Sequence, residues 1–228
     1  MRLILTKKHN AMNKLVIMIL ILISFDTFSQ DKESFEGIII YENIFESKVD
    51  SISSSHFENA YGKQTKYVLD KNGDYINLYK GSYITIQLFK KKDDIIYTVL
   101  TGRDTIFYNK TTEKIDDISN IKQTKKQISV LDKNCDEITY ETSTTKYKYY
   151  YSNEFFIDPK LYSNHYLGNW NKIVEITKSF PMKVILETDY FIMTSTAISV
   201  KKGTVEKRLF SLPPNIPVSK AKENLFFK

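Results

Sequence analysis

The segment YINLYKGSYITIQLFKKKDDIIYTVLTGRDTIFYN, residues 75–109, carries the clearest structural pattern in this chain. Short runs rich in Ile, Tyr, Phe and Thr alternate with turn residues at 81–82, 91–94 and 101–104. Aromatic and β-branched residues favour strands, and such turns join neighbouring antiparallel strands. The pattern begins upstream at residue 64, where the strand-like run TKYVLD at 65–70 is followed by the hairpin signal Asn72-Gly73. The pattern therefore predicts an antiparallel β-meander.

Loop lengths in this segment predict which side chains share a face of the sheet, because cross-strand partners lie on the same face. A three-residue loop, Lys80–Ser82, places Leu78 opposite Ile84. Four-residue loops in the next two hairpins place Leu88 opposite Tyr97. One face then mixes aromatic and polar groups, and the other is apolar. The apolar face consists of Ile76, Leu78, Ile84, Ile86, Leu88, Tyr97, Val99, Ile106 and Tyr108.

A sheet with an apolar face must be covered, and residues 157–176 are the best helical candidate. Asp158 suits an N-cap, and Pro159 suits the first helical position. Gly168 interrupts the helical spacing, which leaves one or two helices open. The predicted fold class is therefore mainly β: a single curved, half-barrel-like antiparallel sheet with one or two short helices covering the concave face.

Further strand-like runs lie on both sides of this segment, and no linker rich in Pro, Gly or Ser separates them. We therefore predict one β-rich domain over residues 30–214, followed by a loose tail over residues 215–228. The additional strand-like runs are residues 35–45, 137–152, 182–189, 190–202 and 205–213.

Residues 1–29 have the organisation of a secretory signal peptide. Four basic residues precede an apolar run of 11 residues, Leu15–Phe25. A membrane-spanning helix needs about 20 apolar residues, whereas the core of a signal peptide needs about 7–15. Thr27 and Ser29 are small, as a signal peptidase requires at these positions. This pattern predicts cleavage before Gln30, export to the periplasm or beyond, and no membrane span in the mature chain.

The composition of the mature chain argues against several classes of function. Removing residues 1–29 deletes four basic residues and one acidic residue, so the formal net charge falls from +6 to +3. Such a weak charge on scattered lysines does not indicate nucleic-acid binding. The single cysteine cannot form an internal disulfide. No His or Cys spacing typical of a metal site occurs, so we predict neither metal nor cofactor.

Cys135 and His165 are the one pair of residue types that suits nucleophilic catalysis. A free cysteine is more often a small buried residue, and no orienting acid or oxyanion signature accompanies this pair. The adjacent carboxylates Asp93-Asp94 and Asp116-Asp117 suit turns better than a cation site. We therefore predict no catalytic residues and no enzymatic activity.

Several segments follow one another in a characteristic order: EGIIIYE at 36–42, VLDKNCDEITY at 130–140, YYYSNEFFIDPKLY at 149–162, SFPMKVILE at 179–187, TAISV at 196–200 and VEKRLFSLP at 205–213. This layout, over residues 35–213, resembles exported bacterial proteins of unknown function related to the periplasmic lipoprotein-carrier half-barrels. The resemblance implies a strongly curved antiparallel sheet wrapped around short helices. It also implies acyl chains carried on the concave face.

Two functions fit this sequence. In the first, the apolar face encloses a pocket that binds an acyl chain or another lipid-like molecule in the cell envelope. In the second, helices fill that face, and the protein is an interaction or structural module that binds an envelope protein through a Tyr-rich face. The resemblance favours the first. The predicted ligand-binding residues are Ile84, Ile86, Leu88, Tyr97, Val99, Ile106, Tyr166 and Trp170.

Export leads to the first testable prediction. When the full chain is expressed in its native host, the mature protein should begin at Gln30, because the cleavage pattern ends at Ser29. N-terminal sequencing of the purified protein measures this directly. A chain that keeps Met1, or that stays in the cytoplasm, would contradict the prediction.

Overall fold

The computed structural model describes residues 32–114 and 116–222, except for the side chains of residues 126 and 127. The predicted signal peptide and the last six residues of the predicted tail lie outside the described residues. The strands are β1 Gly37–Ser47, β2 Gln64–Leu69, β3 Tyr75–Tyr79, β4 Ile84–Lys90, β5 Ile95–Leu100, β6 Ile106–Lys110, β7 Ser119–Val130, β8 Lys133–Glu141, β9 Lys146–Phe156, β10 Ser179–Glu187, β11 Phe191–Lys202 and β12 Val218–Lys220. The α-helices are α1 Ser54–Tyr61 and α2 Trp170–Thr177, and 3-10 turns lie at Pro159–Tyr162, Leu167–Asn169 and Lys207–Phe210.

The strands form one open sheet in the order β12-β6-β5-β4-β3-β2-β1-β11-β10-β9-β8-β7. Neighbouring strands are antiparallel except β12 and β6, which are parallel. Every described element belongs to the compact unit Glu33–Lys228. The predicted class, a mainly β fold built on one sheet with two short helices, is confirmed.

Strand β1 lies in the middle of the sheet and joins its two halves. It pairs with β2 on one side and with β11 on the other. Alternate residues Ile39, Tyr41, Asn43 and Phe45 are buried, because successive side chains of a strand point to opposite faces. The buried side chains of β1 therefore contribute to the core next to both halves of the sheet.

The predicted register is confirmed in two hairpins and is shifted in a third. Leu88 pairs with Tyr97, as predicted, but Leu78 pairs with Ile86 rather than with Ile84. A shift by two residues keeps each β3 side chain on its predicted face, because the side-chain period of a strand is two. Seven residues instead of the predicted five consequently lie between Leu78 and its partner, and residues 80–83 separate the two strands where the prediction had Lys80–Ser82.

That longer loop is held by α1, a helix that the sequence did not predict. The backbone N–H of Ser82 donates to the Asn59 carbonyl over 2.7 Å, and that of Tyr83 donates to the Ala60 carbonyl over 2.9 Å. A Cβ atom at Gly81 would lie 2.2 Å from the Ala60 oxygen, so only glycine allows this close approach. Helix α1 thereby holds the loop of this hairpin in place.

A β-bulge in β4 changes the face on which Ile84 lies. Ile86 pairs with Val99 but Ile84 pairs with Leu100, so Thr85 is an extra residue on this strand. The prediction that Ile84 and Ile86 share a face is therefore wrong. Ile84 lies on the same side of the sheet as Ile96, and Ile86 lies on the other side.

The helical segment begins as predicted. The Asp158 side chain accepts a hydrogen bond from the Lys160 backbone N–H over 2.9 Å, and Pro159 occupies the first position. Gly168, with φ of 63°, separates this part from α2, so the segment forms short helical pieces. These pieces pack on the face of Tyr75 and Phe89, which is the mixed aromatic face of the prediction.

The apolar face is covered by a different segment. Val205 and Phe210 pack on Val68, Ile76 and Leu88. The sequence predicted a strand for residues 205–213, but the structure places a 3-10 turn there. Leu209 and Phe210 both pack on this face, whereas a strand would direct two successive side chains to opposite faces.

Two further elements were not predicted. Strand β7 is rich in Lys, Gln and Ser, a composition that does not indicate a strand but is typical of a protected sheet edge. Residues 218–220 of the predicted loose tail form β12, which pairs with Ile106–Tyr108. Within residues 32–114 and 116–222, no helix has the length and apolar character needed to cross a membrane.

The covering role of Phe210 leads to a stability prediction. Phe210→Ala should lower the free energy of unfolding by about 3 kcal/mol, because the 6% exposed ring fills the space above the sheet. Lys207→Ala in the same turn is exposed and should change the stability by less than about 0.5 kcal/mol. Urea unfolding followed by circular dichroism measures both variants. Equal effects would show that the segment does not cover the core.

Candidate functional site: an aromatic cavity on the concave face

A cavity of about 290 Å³ lies between the sheet and the helical segment. Its walls come from eight strands that are neighbours in the sheet, from β5 to β9 in sheet order. Eight strands at about 4.8 Å spacing would span about 34 Å if the sheet were flat. A sphere of the cavity's volume is only about 8 Å across, so the sheet must curve around it. The cavity therefore occupies the concave face.

Five aromatic side chains form a closed ring of contacts at one side of the cavity. Tyr67 lies 5.1 Å from Tyr75 and 5.1 Å from Phe180, measured between ring centroids. Trp170 lies 6.2 Å from Phe180 and 6.2 Å from Tyr162. Tyr162 and Tyr75, 6.4 Å apart, close the ring. Each such pair contributes about 0.5–1.5 kcal/mol beyond its buried area, so this wall is well fixed in the folded chain.

Helix α1 supplies aromatic support at another part of the wall. The Phe191 ring of β11 lies 4.7 Å from Phe57 and 5.8 Å from Tyr61. Phe45 of β1 lies 5.8 Å from Phe191. Aromatic rings on several strands and on both helices thus line or support the wall of the cavity, which makes a largely preformed apolar site.

The polar groups of the cavity wall are mostly bonded within the protein. Asn43 Nδ2 donates to Thr65 Oγ1 over 2.9 Å and to the Gly62 carbonyl over 3.0 Å. Ser195 Oγ donates to Asn43 Oδ1 over 2.7 Å. The Tyr41 hydroxyl donates to the Pro181 carbonyl over 2.6 Å. These bonds satisfy buried groups and connect β1 with β2, β10 and β11.

His165 lies in the wall as a neutral side chain. It is 3% exposed, and its Nε2 atom lies 2.8 Å from the Tyr75 hydroxyl oxygen. Burial lowers the pKa of His165 to about 4, because the charged imidazolium would lose its water. The imidazole is therefore uncharged at neutral pH and serves as a hydrogen-bonding group within the aromatic wall.

The tyrosines of the wall are neutral for the same reason. Burial raises the pKa of Tyr149 to about 12 and raises the pKa values of Tyr67 and Tyr75 well above 10. Among the described residues that line the cavity, none is Asp, Glu, Lys or Arg. The cavity thus presents no charge to a bound molecule at neutral pH.

The predicted ligand-binding residues divide between the two faces of the sheet. Ile84 and Trp170 line the cavity. Tyr166 is 36% exposed and lies outside the wall. The predicted residues that do not line the cavity are Ile86, Leu88, Tyr97, Val99, Ile106 and Tyr166.

Three of these residues lie on the apolar face of the sheet, on the side opposite to the cavity. Leu88 is 1% exposed, and Ile86 and Tyr97 pack beside it against the segment 205–212. The side chains that line the concave face instead come from the alternate positions of the same strands. Tyr75 and Phe180 illustrate residues that the sequence argument missed.

A signal for the missed residues was present in the sequence. Tyr75, Tyr79 and Phe89 share the mixed face of the meander, and aromatic residues with hydroxyl groups suit a ligand site better than a plain aliphatic core. The sequence did not identify this site because the helical segment was expected to cover the more apolar face.

Cys135 and His165 do not form a pair. Cys135 is fully buried on β8, and its Sγ atom donates to the Lys133 carbonyl over 3.4 Å. Burial raises the pKa of this thiol, which disfavours the nucleophilic thiolate. The neighbours of His165 are instead the rings of Tyr75, Phe89 and Tyr162.

Comparison with known proteins gives structural neighbours but no family. No protein-family model matches the chain, and no curated protein matches its sequence. Two structures of PNGF-II, in space groups P21 and C2, are similar, with TM-scores of 0.45 and 0.47 and sequence identities of 13% and 11%. They match 82% of this chain, which spans about a third of their length (32% and 31%). The resemblance to the lipoprotein-carrier superfamily thus has no support from a family match.

The burial of His165 leads to a pH-dependent prediction. The folded pKa of about 4 lies below the unfolded value of about 6.5, so the unfolded chain binds the extra proton between these pH values. The contribution of His165 to the free energy of unfolding is fully present above pH 6.5 and is lost as the pH falls. Between pH 7 and pH 5 the wild type should lose about 2 kcal/mol more stability than His165→Gln.

Urea unfolding at several pH values measures this difference. His56→Gln is the matched control, because His56 is exposed and does not line the cavity. The range stops at pH 5 so that carboxylate titration contributes little. Parallel curves for the wild type and His165→Gln would show that His165 is protonated equally in both states.

Proposed function

We propose that this protein is a non-enzymatic, exported binding protein that holds an acyl chain or another lipid-like molecule in its concave cavity. The observation that supports this most directly is a cavity of about 290 Å³ whose wall consists mainly of Tyr, Phe, Trp and aliphatic side chains. Water finds few hydrogen-bond partners in such a space. An apolar molecule that enters it is stabilised by a free energy of about 25 cal/mol for each Å² of apolar surface buried.

The volume limits the size of the molecule. A cavity of about 150 Å³ holds one benzene molecule, so twice that volume suits roughly a dozen non-hydrogen atoms. This corresponds to a short acyl chain or to the end of a longer one. The restriction favours a single chain over a whole diacyl lipid.

Two further observations support binding rather than catalysis. The His165 imidazole is neutral and surrounded by rings, and the Cys135 thiol is buried away from solvent. The signal-peptide pattern of residues 1–29 and the lipoprotein-carrier resemblance support a role in the cell envelope. The proposal therefore places an apolar cargo in a compartment where free lipid chains need a carrier.

Tryptophan fluorescence gives a direct test, because Trp170 is the single tryptophan and lines the cavity. Adding 1-decanol should shift the emission of Trp170 in a saturable way. Val184→Phe should weaken binding at least tenfold, because the larger ring fills space in the wall. The neighbouring substitution Ile185→Phe adds a ring at a position that does not line the cavity and should retain binding.

Native mass spectrometry of protein purified from its own host should also show bound apolar molecules. Circular dichroism verifies that both variants are folded. If the wild type gives no saturable response and carries no apolar molecule, the binding proposal is wrong. The alternative, an interaction module with a filled core, then takes its place.

A further inference from the structure

The hydroxyl of Tyr67 differs from those of Tyr41, Tyr75 and Tyr79, which also line the cavity. Tyr41 donates to the Pro181 carbonyl, Tyr79 donates to Gln87 Oε1 over 2.6 Å, and Tyr75 bonds to His165. The Tyr67 hydroxyl makes no hydrogen bond within the part of the chain that the structure describes, although its ring belongs to the aromatic wall. A hydroxyl in an apolar site without a partner is unfavourable, so a ligand group or water is expected to bond it.

Other unpartnered polar atoms near the cavity are less available. Asn77 Oδ1, His165 Nδ1 and Trp170 Nε1 also lack partners among the described residues, but protein atoms cover all three. None of these atoms can reach a bound molecule without side-chain movement. Tyr67 Oη is not among these covered atoms, which makes it better placed than these three to contact a ligand.

The electrostatics of the wall restrict the ligand further. The described lining contains no charged side chain, and its tyrosines and His165 are neutral at pH 7. A carboxylate or an ammonium group placed there would lose its hydration without gaining an ion-pair partner. Aromatic faces attract cations, which makes a quaternary ammonium the stronger of the two charged competitors.

We infer that the natural ligand is an uncharged amphiphile, with an apolar body of roughly a dozen non-hydrogen atoms and one hydrogen-bonding group that contacts the Tyr67 hydroxyl. This inference rests on the proposed binding function and makes its ligand class specific. The aromatic wall binds the body by apolar contact. Tyr67 determines specificity, because it distinguishes molecules with a hydroxyl, carbonyl or amide from plain hydrocarbons.

The experiment compares four probes of similar size at pH 7.5, each titrated against Trp170 emission. They are 1-decanol, decanoate, decyltrimethylammonium and butylbenzene, which has no hydrogen-bonding group. We expect 1-decanol to bind at least tenfold more tightly than decanoate and decyltrimethylammonium. Tight binding of either charged probe, equal to that of 1-decanol, would overturn the inference that the ligand is uncharged but would leave the binding function standing.

The role of Tyr67 is tested with Tyr67→Phe, which removes a hydroxyl that has no partner in the described protein and should therefore fold normally. It should weaken 1-decanol binding about threefold to tenfold and leave butylbenzene binding unchanged. Tyr190→Phe is the matched control, because Tyr190 is 55% exposed and lies outside the cavity. An equal effect on both probes, or none on either, would overturn the assignment of Tyr67.

The proposed function can also fail separately. If no probe binds and the purified protein carries no apolar molecule, both the binding function and this inference fall. Binding of butylbenzene alone would support the apolar cavity and overturn the requirement for a hydrogen-bonding group. Each result therefore identifies which of the two statements is wrong.

Discussion

Strand β1 pairs with β2 and with β11, and the rest of the structure depends on these two pairings. β2 leads into the meander that ends at β6, and β11 leads back through β10 and β9 to β7. Asn43 bonds to Ser195, 152 positions later in the chain, and also to Thr65 on β2. Pairing over such a separation requires that a long loop be ordered first, so it gains stability only when both halves are formed.

The cavity depends on the two pairings of β1, which join the two halves of the sheet. Each half of the sheet contributes part of the wall: Tyr67 and Tyr75 come from one half, and Phe180 and Phe191 come from the other. The curvature that brings the two halves round one cavity also places the helical segment above it, where Trp170 bridges the rings of Tyr162 and Phe180.

The side chains in the wall of the cavity are uncharged. Burial keeps the tyrosines protonated and keeps His165 unprotonated, so a space with many polar side chains carries no net charge at neutral pH. Most of the hydroxyl and amide groups bond to other parts of the wall, which leaves ring faces and aliphatic groups for a ligand. An apolar site of this kind selects by size and by one or two hydrogen bonds rather than by ion pairing.

The sequence by itself determined the type of structure. The alternation in residues 75–109 specified an antiparallel meander, and the same alternation specified which side chains of β3, β5 and β6 share a face, because the strand period is a local property. Asp158-Pro159 specified the start of the helical segment, and Gly168 marked its interruption. The tertiary structure decided which segment covers which face: residues 205–212 pack on the apolar face, and the helical segment packs on the aromatic one. The bulge at Thr85, the loop held by α1 and the pairing of β12 with β6 were also decided there. These features depend on contacts between residues far apart in the chain, whose energies no local pattern contains. The site residues Tyr67, Tyr75 and Phe180 were therefore missed, although the concave sheet that holds them was predicted.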